Sequence, residues 1–164
     1  MGTAVYPGSF DPFTYGHLDI ISRATKIFGK VIVAVSVNSG KNPLFTIEER
    51  VKMISDECQH LEKVEVTFFY GLLVDFAKER KAEAVIRGLR AVSDFEYEFQ
   101  MAMTNRKLYL DLETIFLVSQ PKYSFLSSSI VKEIASLGGD VSGFVSKRVA
   151  EQLYTKYKNK KPGV

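Results

Sequence analysis

Strand-like runs at about 3 to 6, 31 to 37, 64 to 69, 83 to 87 and 113 to 118 alternate with helical patterns along the chain. That alternation confines the fold to an α/β unit with a parallel sheet, because parallel neighbours need a crossover and a helix supplies it. At 164 residues, 46% of them apolar, the chain has interior for one such domain and needs no second. We expect a domain over 1–157 and a basic tail, 158–164, that is solvated and frayed.

The helices carry their own boundary marks. Leu18, Ile21, Thr25 and Phe28 outline the first, with Gly29 as its stop. Thr46 with Glu49 forms a capping box for the second, and Ser93 with Glu96 offers another, opening a longer helix toward Leu108. A helix from about Ser128 ends at Gly138-Gly139, and the last, about Ser146 to Tyr157, carries Val149 and Leu153 on one face.

Composition narrows the function. Lysine and arginine total 22 against 19 acidic residues, and a net charge of +3 is too mild for a nucleic-acid binder. One cysteine, Cys58, excludes an intrachain disulfide and a cysteine zinc site. It falls on the apolar stripe Ile47, Val51, Ile54, Cys58, Leu61, so it reads as a core residue, and His60 beside it reads as surface. With no basic-then-apolar leader and no long apolar window, we expect a soluble cytoplasmic protein without a membrane partner.

The unusual residues all follow strands. The run Gly8-Ser9-Phe10-Asp11-Pro12-Phe13-Thr14-Tyr15-Gly16-His17 follows the first, Lys41 the second, Gly71-Leu72-Leu73 the third, Arg87 and Arg90 the fourth, and Tyr123 to Ser129 the fifth. In open α/β sheets that edge binds ligands. Glycines admit an anion close to backbone amides, Asp11-Pro12 fixes a turn, and His17 lands in the first turn of a helix whose dipole favours negative charge. Ser127, Ser128 and Ser129 put hydroxyls and free amides at another helix start, more than a cap needs. This collection of donors with almost no acceptors suits polyphosphate. There is no Gly-x-x-x-x-Gly-Lys-Ser/Thr loop, no Gly-x-Gly-x-x-Gly turn and no metal-spaced cluster, so a P-loop kinase, a dinucleotide dehydrogenase and a protein-caged metal are unsupported; Mg2+ held by nucleotide phosphates fits. The missing acid/base pair favours adenylyl transfer to a phosphate acceptor, whose nucleophile is already ionised. Catalysis is then positioning and charge neutralisation.

The Gly8 to His17 run resembles the signature of the nucleotidylyltransferase superfamily. The segments Lys41-Asn42-Pro43-Leu44-Phe45, Ile86 to Glu98 and Tyr123 to Ser129 are similar to its bacterial phosphopantetheine adenylyltransferase family, over about residues 3 to 157. The resemblance implies a Rossmann-like sheet in the order 3-2-1-4-5, helices on both faces, ATP and 4′-phosphopantetheine as substrates, and a homohexamer. The strand order then reverses between the first and fourth strands, which carry His17 and Arg87/Arg90. It implies that His17 donates to the α-phosphate, that Ser9 serves acceptor and nucleotide, and that Lys41 neutralises the acceptor phosphate. Arg87 and Leu73 fall to the acceptor. Phe10, Gly88, Leu89, Arg90, Glu98, Tyr123, Ser124, Phe125, Leu126, Ser127, Ser128 and Ser129 fall to ATP. Phe95, Tyr97, Phe99, Met101 and Met103 give more apolar surface than one helix stripe needs, which suits an interface.

The same residues have structural uses: a capping His17, a surface Lys41, salt bridges from Arg87 or Arg90 to Asp94 or Glu96, a solvated Glu98, a core Leu73. A sister enzyme acting on nicotinate mononucleotide or a polyol phosphate, an idle nucleotide sensor and an RNA-binding relative are the alternatives.

Overall fold

The computed structural model describes residues 2–37, 42–90 and 92–158, the side chains of 92 and 93 excepted. Lys41 and residues 159–164 of the expected tail lie outside the described residues. The elements run β1 (Thr3–Gly8), α1 (Tyr15–Ile27), β2 (Lys30–Ser36), α2 (Ile47–Glu57), β3 (Val64–Phe69), α3 (Leu73–Glu79), β4 (Ala84–Leu89), α4 (Val92–Leu108), β5 (Glu113–Val118), α5 (Ser128–Ser136) and α6 (Lys147–Tyr157). The five strands form a parallel sheet in the order β3-β2-β1-β4-β5. The expected α/β, Rossmann-like architecture is what the chain adopts.

Alternate residues of each strand feed opposite faces. Ala4, Tyr6, Val31, Val33 and Val35 join the larger core with Ile20 and Ile21 of α1, Met53 and Ile54 of α2, Val131 of α5 and Leu153 of α6. Val5, Ile32, Ala34 and Val85 join the smaller one with Val74, Phe76 and Ala77 of α3. α4 packs against α3, β4 and β5, but Phe95, Tyr97, Phe99, Met101 and Met103 on it stay exposed.

Local chemistry sets the boundaries. β1 continues through Pro7 and Gly8, where Gly8 pairs with Val35, so the loop begins at Ser9. β4 likewise takes in Arg87, Gly88 and Leu89, paired with Phe116, Leu117 and Val118. Of the residues expected beyond the fourth strand, only Arg90 lies there. α1 starts before Leu18, at Tyr15, because Thr14 caps it. It ends at Ile27 with Phe28 in an extended conformation, and Gly29 is not a left-handed stop; the described glycines with positive φ are Gly71 and Gly138. Gly138 does end α5, as expected. Thr46 and Glu49 form the expected capping box, whereas α4 opens at Val92, which leaves Ser93 inside the helix. Cys58 is buried at the end of α2, where burial and then Glu57 push its thiol up to about 12. On the same helix the buried stripe also takes in Arg50 and Met53.

Tyr154 joins α6 to the turn after α5: its hydroxyl accepts the Val141 N–H at 3.2 Å and donates to Gly139 O at 3.0 Å. Tyr154→Phe leaves the buried Val141 N–H unpaired and should cost about 1 to 3 kcal/mol in chemical denaturation. An unchanged unfolding midpoint would contradict that role.

Candidate active site

Three hollows open side by side at the C-terminal edge of the sheet, and Ser9 lines them all. One, about 290 Å³, has Gly8, Ser9, Phe10, His17, Arg87, Gly88, Arg90, Glu98, Tyr123, Leu126 and the three serines in its wall. It lies over the junction of β1 and β4, where the strand order reverses. Gly88 forms part of its floor, and a Cβ there would press on Ile20 Cγ1 at 3.2 Å.

His17 is held by its own helix start. The Thr14 backbone N–H donates to His17 Nδ1 at 3.0 Å, and the His17 N–H points back to Thr14 Oγ1 at 3.4 Å. Phe10 packs edge-on against the imidazole, with ring centroids 5.0 Å apart, and Phe13 lies 5.6 Å away. Phe10 holds this place with φ at 48°, a conformation bulky residues seldom adopt. Burial first, and the Arg90 charge second, lower the His17 pKa to about 4. The ring is therefore neutral near pH 7. A backbone N–H can only donate, so Nδ1 carries the lone pair and Nε2 the proton. The capping contact uses Nδ1, which leaves the Nε2–H on the opposite side of the ring.

The arginines differ. Arg87 makes a bidentate pair with Glu98, both contacts at 2.5 Å, and a longer bond to Pro7 O. Burial disfavours its charge, but the hydrogen bonds and charge of Glu98 outweigh that and raise its pKa. Its partner is Glu98 and not Asp94 or Glu96. Arg90 bonds Leu126 O at 3.1 Å and pairs with Asp94 at 3.2 Å in an exposed, weak contact. At α5, Ser127 caps the helix by accepting the Ile130 N–H, and Ser128 donates to Pro12 O at 2.7 Å. Ser129 has no partner among the described residues, so its hydroxyl is available to a ligand. Leu89 and Ser124 do not line this hollow, and Phe125 packs edge-on against Phe144 outside it.

A second hollow, about 360 Å³, is walled by Leu73, Tyr97, Met101 and Asn105, with Arg87 and Glu98 between it and the first. The third, about 640 Å³, meets Asp11, Asn42, Arg50, Ser128, Ser129 and Lys132. Asp11, Arg50 and Lys132 are missed by sequence reasoning. Arg50 is buried and donates to Ser9 O at 2.8 Å and Thr46 O at 3.2 Å. Lys132 reaches Asp11 at 2.7 Å. The signal for Arg50 is a charge one residue from an apolar stripe.

The His17 arrangement has a measurable pH signature. The folded pKa lies below the unfolded value of 6.5, so the unfolded chain takes up the proton first as pH falls. The stability that neutral His17 contributes should be whole above about 6.5 and be lost progressively toward about 4. NMR titration of the ring should show a midpoint near 4; a midpoint above 6 would overturn the assignment.

The model of the cytidylyltransferase-like family matches residues 5–134. The phosphopantetheine adenylyltransferase of Caldanaerobacter subterraneus subsp. tengcongensis is 56% identical over 96% of this chain and 99% of its own. That of Dictyoglomus thermophilum is 56% identical over 98% of each. Among solved structures, a bifunctional NMN adenylyltransferase/ADP ribose pyrophosphatase from Francisella tularensis superposes with a TM-score of 0.68 at 17% identity, over 98% of this chain and 51% of that one. Plasmodium falciparum nicotinic acid mononucleotide adenylyltransferase does so at 0.58 and 16% identity, over 95% of each chain. At that identity these two speak for the fold, while the curated relatives speak for the sequence. The chain belongs to the cytidylyltransferase-like family of nucleotidyltransferases and, within it, to the phosphopantetheine adenylyltransferases.

Proposed function

We propose that the protein transfers the adenylyl group of ATP to 4′-phosphopantetheine, giving dephospho-coenzyme A and pyrophosphate, in the cytoplasm. Relatives that share 55 to 58% identity across nearly the whole chain support the substrate pair. The observation that carries the chemistry is the neutral His17, its Nε2–H left as a fixed donor in a hollow of other donors.

A phosphate oxygen of the acceptor forms the new bond to the α-phosphorus as the bond to the bridging oxygen of pyrophosphate breaks. The acceptor phosphate is ionised near neutral pH, so no side chain has to remove a proton. His17 donates to the α-phosphate oxygens, where charge builds in the transition state. Arg90, the Ser128 and Ser129 amides and the Ser129 hydroxyl hold the outer phosphates, and Gly88 admits the nucleotide. Ser9, Lys41 and Arg87 hold the acceptor phosphate, with Leu73 along the apolar arm. Arg87 enters this role already paired with Glu98, so it acts as an oriented fork.

Mg2+ supplies further neutralisation of phosphate charge. Among the described residues no three His, Cys, Asp or Glu side chains converge as a metal cage. The carboxylates of Asp11 and Glu98 are taken by Lys132 and Arg87. That donor set fits an ion carried on the nucleotide's own phosphates. We assign a homohexamer, as the resemblance implies; the exposed apolar row on α4 supports its burial against further copies.

The test is pyrophosphate release with a panel of phosphorylated acceptors. Phosphopantetheine should turn over and nicotinate mononucleotide should not; turnover of the nicotinate compound alone would replace this reading with the sister activity. His17→Ala should lower kcat by about 10² to 10³ and change the KM for ATP much less. Near-normal kcat with a raised KM would make His17 a ground-state ligand only.

A further inference from the structure

Asp11 sits in the nucleotide loop at 5% exposure, and its carboxylate is saturated from three sides. Oδ1 accepts the Phe45 N–H at 2.9 Å, while Oδ2 accepts the Leu44 N–H at 3.0 Å and Lys132 Nζ at 2.7 Å. The two amides belong to the segment between β2 and α2, and Lys132 belongs to α5, one turn beyond the serines. One buried carboxylate therefore joins the loop that bears Ser9 and His17, the segment that follows Lys41, and the serine-bearing helix. Ser128 reinforces the join by donating to Pro12 O at 2.7 Å.

We infer that Asp11 is a positioning residue for the acceptor side of the site, holding the segment after Lys41 against the nucleotide loop and α5. The inference rests on the adenylyl-transfer reading above. At one end the chain is held where the Val37 N–H donates to Phe69 O at 3.0 Å. At the other it is held at Leu44 and Phe45 by Asp11. Lys41 precedes the anchored Leu44 by three residues in the sequence. The join needs a carboxylate. An asparagine in its place accepts through one atom only, and its NH2 would face the Leu44 N–H and Lys132 Nζ donor to donor. Asp11 and Lys132 also form adjoining wall of the 640 Å³ hollow, so losing the join reshapes that hollow as well.

The experiment combines amide exchange with a double-mutant cycle. In Asp11→Asn, exchange at Leu44 and Phe45 should rise about tenfold or more while the β1 ladder amides stay as they are. This readout needs no substrate, so it separates a wrong join from a wrong reaction. The kcat/KM for phosphopantetheine should fall about 10- to 100-fold, as expected for a small misplacement of a reacting group. In a Lys41→Ala background the same substitution should cost less than about threefold, because the residue it positions is gone. Equal losses in both backgrounds, or unaltered exchange at the two amides, would overturn the inference. Should Asp11→Asn fail to fold, Lys132→Met takes its place in the cycle. It leaves carboxylate and amides in place and removes the counter-charge. A smaller loss that vanishes beside Lys41→Ala and is restored by Lys132→Arg supports the role; a loss that persists in that background overturns it.

Discussion

The bond from the Thr14 backbone N–H to His17 Nδ1 ties the chemistry of the site to the way the first helix begins. A helix start must satisfy its free amides, and α1 does so with a threonine hydroxyl on one side and an imidazole nitrogen on the other. The imidazole is thereby oriented and its tautomer set by a contact that exists whenever the helix does. Burial under Phe10 and Phe13 then keeps the ring neutral. What remains is one N–H on a ring that lines the hollow at the reversal of strand order, oriented by backbone requirements and, among the described residues, by no carboxylate.

Electrostatics near the site follow a consistent rule. Arg87 is matched by Glu98 and Lys132 by Asp11, both in partly buried pairs, while Arg90 has, among the described residues, an exposed partner and a carbonyl. The paired cations are held in place by charge inside the protein. Arg90 and Ser129 keep donor capacity for a ligand. Under the proposed reaction Arg87 combines two duties, pairing with Glu98 and taking the acceptor phosphate, whereas Lys132 serves structure alone.

The strands were legible because a parallel sheet is read as apolar runs at helix-length spacing, and the observed limits fall within two residues of those expected. Thr46, Ser127 and Gly138 were legible for a different reason: capping and left-handed turns are local chemistry. The misses lie where a distant partner decides. Gly88 and Leu89 belong to β4 because Leu117 and Val118 of β5 pair with them, a register that no local signal gives. Arg50 looks like a solvated helix charge until Ser9 O, 41 residues earlier, is seen to take its guanidinium. Asp11 looks like a turn residue, since nothing in its neighbours announces Lys132 or the amides of Leu44 and Phe45. Gly29 carried the usual helix-stop signal, yet the chain leaves α1 in an extended conformation to enter β2 directly.

Ser9 stands exposed where three hollows meet, its carbonyl gripped by Arg50 and its side chain unencumbered among the described residues. A substitution there is felt in every hollow at once. On the proposed assignment, a change at this position cannot reshape one hollow and leave the others alone, so variation that alters a single specificity has to be found elsewhere, on walls that belong to one hollow only. Leu73 and Met101 on one side and Tyr123 on another are such walls. Drift in acceptor preference among related chains is expected to accumulate there and to spare the shared hydroxyl.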